Sequence, residues 1–517
     1  MTEDPAAYIA TNRAEYGDHY DGLNFVTPEQ AEVYQARRQD LLQALHGKAE
    51  VGYGGTKMDC TRLSPGCRCC GNGTWSCLFV NNRCNRNCFY CPTSQDNASV
   101  PGTNTLDFPL ARDYAEYTER FGMDGVSFSG GEPLLTPDRT IEYLQALRCR
   151  RGDSVHTWLY TNGTLLNAAM VRRLRDAGLD EIRFDVAANG YDLTGVFLAA
   201  GIIPVVTVEI PALPDDAALL RGLLVDMTNA GVHFLNLHQL RLTPHNRPHL
   251  QRRGLTFLHG ARITVLESEL TALELLVETL DKGIPLPINY CSFVYKHRYQ
   301  RAAARRRAAI AARKPFEDIT ENGYLRHLSL AGPEERLLAQ VARLQAEGAD
   351  PAAFCLNRAN ATLDCAASLW PLLAVHDLAM HVRYFEARLR PSPSYRHPFT
   401  KVELESGTQL YVERWPATAE LVLRGPEVQA FATTVLGLGA PSAPKSSAPA
   451  ESAHPVSTPP VSTPPVSAPT SSGLLSASAP VPASSPPAPA PAPAGLPPGW
   501  RAAQELETIR TGLQEYY

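Results

Sequence analysis

The sequence lacks several things, and each lack removes a class of protein. It has no apolar run of about eighteen residues, which predicts no membrane span. Met1 to Ala10 carry acids and no apolar stretch, so no signal peptide is expected. Lys and Arg (48) nearly cancel Asp and Glu (53), and the net charge of -5 predicts neither a basic nucleic-acid tail nor an acidic sink. Its 12 cysteines, in a chain expected to stay unsecreted, suggest metal ligation rather than a disulfide framework, and the reducing cytoplasm is the expected compartment. At 517 residues there is ample material for a large core and for more than one domain.

Another lack is more telling. Cys84-Asn85-Arg86-Asn87-Cys88-Phe89-Tyr90-Cys91-Pro92 offers three thiolates and no fourth. A closed structural zinc site wants four ligands, whereas a cubane cluster held by three cysteines keeps one iron open to a substrate. Downstream, Ser129-Gly130-Gly131-Glu132-Pro133 ends the apolar run Gly125 to Phe128. Paired glycines let backbone approach a ligand closely, and Glu132 can offset an ammonium charge. A Cys-rich zinc knuckle followed by an ordinary turn is the plain alternative.

The two motifs, in this order, resemble the radical S-adenosylmethionine (SAM) superfamily. The resemblance implies that Cys84, Cys88 and Cys91 bind a 4Fe-4S cluster. It implies that Tyr90 packs near the adenine of SAM, and that Gly130, Gly131, Glu132 and Pro133 hold its methionine amino group. It also implies reductive cleavage of SAM to a 5′-deoxyadenosyl radical that abstracts hydrogen from a substrate, with a reductant such as flavodoxin or ferredoxin as electron donor.

Short apolar runs at Trp75–Val80, Gly125–Phe128, Val155–Tyr160, Glu181–Val186, Ile203–Ile210 and His233–Leu242 alternate with helical patterns such as Ala111–Phe121, Thr140–Cys149, Asn167–Ala177 and Asp216–Ala230. The expected fold is α/β, a partial (β/α)6 barrel, with its chemistry at the carboxyl ends of the strands. Asn162, in Thr161-Asn162-Gly163, follows the third strand. Asp185 and Glu209 are carboxylates inside apolar runs, where an unpaired charge is costly. They are expected to face the cavity and meet a ligand, which the resemblance implies is the ribose and methionine parts of SAM, or else to pair with a neighbouring arginine such as Arg183. His238, Gln239 and Arg241 end the sixth strand, within reach of a substrate. The expected organisation is a helical extension (1–58), the core with a Cys-rich entry segment (59–262), a mainly helical region (263–395) and a small β unit (396–437). A Pro/Ala/Ser linker (438–498) and an amphipathic C-terminal helix (499–517) complete it. Lys296 to Lys314 reads as a basic helix, either a phosphate or RNA surface or simply a solvated face.

A second cysteine group, Cys60, Cys67 and Cys70 with the distant Cys291, predicts a second iron-sulfur cluster or a zinc site. Reduced structural thiols are the alternative. Cys77, Cys149, Cys355 and Cys365 are expected to pack as small hydrophobes. Gly66 to Gly71, Leu235-Asn236-Leu237 and Pro287 to Ser292 with Lys296 are similar to a poorly characterised family related to pyruvate formate-lyase activating enzyme, over Val51 to Leu423. The extra cysteines and longer N-terminal extension depart from the true activases, so the substrate does not transfer with the resemblance. A peptide maturase would add a dense C-terminal cysteine array, and a cobalamin methylase a further domain. The expected activity is therefore hydrogen abstraction from a protein or metabolite. RNA modification and a non-catalytic iron-sulfur or zinc scaffold stand as alternatives.

Overall fold

The computed structural model describes residues 5–97, 99–439 and 497–516. Strands β1 (Trp75–Arg83), β2 (Gly125–Gly130), β3 (His156–Thr161), β4 (Glu181–Phe184), β5 (Val205–Pro211), β6 (Phe234–His238) and β7 (Ile288–Cys291) pair in chain order, all parallel. Helices Ala111–Arg120, Pro137–Arg151, Ala168–Asp176, Ala217–Asn229 and Leu266–Asp281 lie among the crossovers. The sheet continues beyond β7 to antiparallel Lys57–Met58 and beyond β1 to Gly102–Thr103. β1 and β7 do not pair, so the barrel is partial.

Side chains alternate along the strands. Leu78 and Val80 of β1, Val206 and Val208 of β5, and Leu235 and Leu237 of β6 are buried in the main core. Each contributes about 1.5–3 kcal/mol of burial. Their neighbours Cys77, Glu209 and His238 take the opposite face and line cavities inside the barrel.

Two expectations are corrected here. The barrel does not end near residue 262, because β7 adds a parallel strand and Leu266–Asp281 is its crossover helix. The region 263–395 is not mainly helical beyond Ala312. Leu325–Ala331, Phe354–Asn357, Thr362–Cys365 and Ala379–Arg390 join Phe399–Glu403 and Gln409–Pro416 in one eight-stranded antiparallel sheet. The expected β unit at 396–437 is thus part of that sheet, and Phe399–Glu403 and Gln409–Pro416 form an antiparallel hairpin within it.

The N-terminal extension is helical, at Pro5–Tyr16 and Pro28–Leu45. Of the expected linker, residues 440–496 lie outside the described residues. The C-terminal helix runs only from Pro498 to Glu507, then the chain extends. It docks on the body: Glu507 accepts from Arg326 (2.8 Å) and Tyr384 (2.7 Å), and Tyr516 donates to Glu269 (2.6 Å).

Candidate active site

The loop after β1 brings Cys84, Cys88 and Cys91 to the wall of a cavity of about 280 Å³ at the carboxyl ends of the strands. Cys91 N donates to Cys88 O (3.0 Å), a tight turn between the last two cysteines, and Cys91 Sγ donates to Thr93 O (3.2 Å). Burial pushes the Cys88 thiol up to about 11 and raises those of Cys84 and Cys91. Three soft donors on one wall, protonated until a cation arrives, suit a three-thiolate cluster. Among the described residues no three His, Cys, Asp or Glu side chains are placed to hold a single metal ion.

Gly130 and Gly131 are required by a close approach of β2 to β1. Added Cβ atoms would lie 2.0 Å from Asn81 O and 1.8 Å from Arg83 O, and Gly130 has φ +122. Backbone hydrogen bonds Gly131 N to Asn81 O (2.9 Å) and Glu132 N to Arg83 O (2.7 Å) fix that contact. Glu132, 1% exposed, accepts from Leu134 N (3.0 Å), Thr161 Oγ1 (2.9 Å) and Asn162 N (2.8 Å). Burial raises its carboxyl, and the three donors oppose the rise. Its carboxylate ties the end of β2 to the loop after β3, so Asn162 reaches the cavity with its amide 3.8 Å from Cys84 Sγ and 2.8 Å from Asn85 Oδ1. Pro133 opens a short 3₁₀ turn and is not part of the cavity wall.

Across the cavity, Tyr90 donates to both oxygens of Asp185 (3.0 and 3.1 Å). Burial pushes the Asp185 carboxyl up to about 7, against that hydrogen bond. Glu209 accepts from Arg183 (2.5 Å) and Asn236 (3.0 Å), and lies 2.5 Å from His238 Nε2. Burial opposes its charge, but Arg183 and His238 outweigh burial and hold its carboxyl well below the usual range. The alternative partner foreseen for these acids is therefore realised for Glu209 and not for Asp185. Arg183 also bonds Glu181 (2.8 Å), the other carboxylate of this buried network. His238 Nδ1 is buried without a hydrogen-bond partner.

His238, Tyr90, Pro92 and Pro211 also line a second, larger cavity of about 630 Å³. Gln239 and Arg241 line this chamber, and so does Cys77. Sequence reasoning missed Arg262, Arg301 and Arg307 in its wall. The signal was the stripe Lys296, His297, Gln300, Arg301, Ala304 and Arg307, one face of the basic helical run, which begins with a π-helical turn at Lys296–Gln300.

The second cysteine group gathers around an ammonium. Lys57, 1% exposed, lies opposite Cys291 in the sheet and donates to its Sγ (2.6 Å) and to Asn289 (2.6 Å). Burial opposes its charge, yet Cys291, Cys67 and Cys70 raise its pKa. Cys67 is bonded by Asn236 (3.3 Å), Cys70 by Gln300 (2.8 Å), and Cys60 donates to Lys57 O (3.5 Å). Each of these thiols thus has a protein partner, and Lys57 is bonded to one of them.

The Radical SAM superfamily profile matches residues 78–193. A putative glycyl-radical enzyme activating enzyme of Methanocaldococcus jannaschii is 32% identical over 277 residues, 51% of this chain and 72% of that protein. A probable GTP 3′,8-cyclase of Methanocella arvoryzae is 41% identical over 115 residues, 22% of this chain and 34% of the cyclase. A solved structure of native anSMEcpe with bound AdoMet aligns with TM-score 0.31 and 15% identity, over 41% of this chain and 63% of that one. The profile falls on the strands that carry the cysteine loop and the Gly-Gly-Glu-Pro turn, and the archaeal relative is matched along most of its length. The chain belongs to the radical SAM superfamily of enzymes.

Proposed function

We propose that the chain holds a 4Fe-4S cluster on Cys84, Cys88 and Cys91, binds SAM in the cavity beside it, and directs the chemistry at a substrate in the adjoining chamber. When bound, the cluster and SAM together supply a one-electron cleavage that yields a 5′-deoxyadenosyl radical. The protein's part is placement. Gly130, Gly131 and Glu132 fix the edge against which the methionine end would lie, and Asn162 and the Tyr90–Asp185 pair face the same space. Glu209, pinned by Arg183, orients His238 between the two cavities.

The observation that carries this reading is the shared wall. Tyr90, Pro92, Pro211 and His238 border both spaces, so a molecule in the chamber would sit beside whatever the cofactor cavity holds. A second reading, activation of a glycyl-radical enzyme, is supported by the name of the archaeal relative and would require a backbone segment to enter the chamber. RNA modification has less support: Arg298, Arg305 and Arg306 of the basic run are spent on Gly512 O (2.9 Å), Asn322 O (2.8 Å) and Glu321 O (2.5 Å). A flavodoxin or ferredoxin is the proposed class of reductant. The test is anaerobic reconstitution with a strong reductant and SAM. Wild type is expected to release 5′-deoxyadenosine, and Cys84→Ala/Cys88→Ala/Cys91→Ala to release none. Undiminished release by that variant would remove the assignment.

A further inference from the structure

We infer that the chamber binds a phosphorylated small molecule, an assignment that rests on the cofactor reading above and names the substrate class for it. Arg241, Arg262, Lys296, Arg301 and Arg307 all face this one cavity, and no Asp or Glu shares its wall among the described residues. Only Arg262 has a carboxylate partner, Glu15 at 2.9 Å. The other four form no ion pair among the described residues, whereas buried arginines elsewhere are closely paired, as with Arg183 and Glu181 or Arg414 and Glu317.

Arg241, Lys296 and Arg307 are half-buried and Arg301 is exposed at the chamber's rim; an unpaired cation drawn out of water is unfavourable, and cations facing one another add repulsion. The consequence is visible in their titration. Burial, then Arg262, lowers Arg241; burial lowers Arg307 and Lys296. A site assembled at that cost is relieved by an anion. A single carboxylate neutralises one cation, whereas a phosphoryl group brings about 1.5–2 negative charges and three acceptor oxygens, and guanidinium forks match its geometry.

The chamber's other walls describe the rest of the ligand. Trp75, Phe79 and Phe293 present apolar rings to the same space. The volume of about 630 Å³ falls within the roughly 300–1,000 Å³ of small-molecule sites. At the junction with the cofactor cavity His238 Nδ1 has no protein partner, which leaves it one hydrogen bond to give or accept from a ligand.

Inorganic pyrophosphate is the probe, titrated calorimetrically into the anaerobically reconstituted full-length chain. Binding is expected with Kd below about 1 mM. It is expected to weaken about tenfold in Arg301→Gln/Arg307→Gln and, from a different element, in Arg241→Gln, which keeps the test alive if the first variant misfolds. Arg306→Gln, on the helix face bonded to Glu321 O, should stay within about twofold of wild type. No binding to wild type, or binding unchanged in both chamber variants, would overturn the assignment, and succinate binding as tightly as pyrophosphate would overturn the choice of phosphate. Release of 5′-deoxyadenosine is scored separately on wild type without pyrophosphate. Its absence would break the cofactor reading, while the titration alone decides the chamber's preference.

Discussion

Two neighbouring cavities share four residues and are built with opposite charge. The smaller has Glu132, Asp185 and Glu209 beside three thiols, all on the ends of barrel strands or the loops just after them. The larger has arginines and a lysine, supplied mostly by the helical run that follows β7. Each acid of the first is satisfied by a protein donor. Most cations of the second are not. The difference separates a pocket whose acids are met by donors within the protein from a chamber most of whose cations have no carboxylate partner among the described residues.

The largest expected disruption of that contrast is at its base. Arg183→Met would strand Glu181 and Glu209 as buried carboxylates, and loss of one partner of a buried ion pair costs about 3–5 kcal/mol. Chemical denaturation should show that loss. A change below about 1 kcal/mol would mean the network is not held by Arg183.

A smaller effect is expected from Glu132→Gln. The amide presents an N–H to donors that a carboxylate had accepted, a cost of about 1–3 kcal/mol. SAM affinity should fall about tenfold with iron content unchanged. Equal loss of iron would make Glu132 a brace for the cysteine loop rather than for the ligand.

The smallest effect sharpens the junction. Burial, then the Lys296 ammonium, draws the His238 pKa below 6.5 against the pull of Glu209. The unfolded chain therefore takes up a proton near pH 6.5 that the folded chain resists, and stability falls as pH drops below that value. His238→Gln should flatten this slope, and Lys296→Gln should raise the imidazole titration seen by NMR. An unmoved titration would place Lys296 outside electrostatic reach of His238.

The barrel strands were legible because each is a compact apolar run bounded by helical pattern, and the cysteine triplet followed by Gly130 to Pro133 carried the family resemblance. β7 was not legible: Ile288-Asn289-Tyr290-Cys291 is too short to show a period, and its place depends on pairing with β6 and Lys57–Met58. The antiparallel sheet was hidden for a related reason. Leu325–Ala331 pairs with Ala379–Arg390, across an intervening helix at Glu334–Ala346 whose strong periodicity dominates the local pattern. Cys60, Cys67, Cys70 and Cys291 were read as one metal site, and Lys57, which bonds Cys291, carries no signal in sequence. The two faces of the basic run were likewise indistinguishable until their partners were placed.

The docked C-terminal stretch has a consequence for the chain as a connected object. Arg38 of the N-terminal extension and Arg298 of the basic run both donate to its backbone, at Gln514 O (2.6 Å) and Gly512 O (2.9 Å), while Glu507 grips the antiparallel sheet. Its attachment is intramolecular, which raises its local concentration without any new contact. One cut anywhere between residues 440 and 496 would put everything after it, residues 497–517 included, on a separate peptide, retained or lost according to its concentration, with three distant parts of the protein released together.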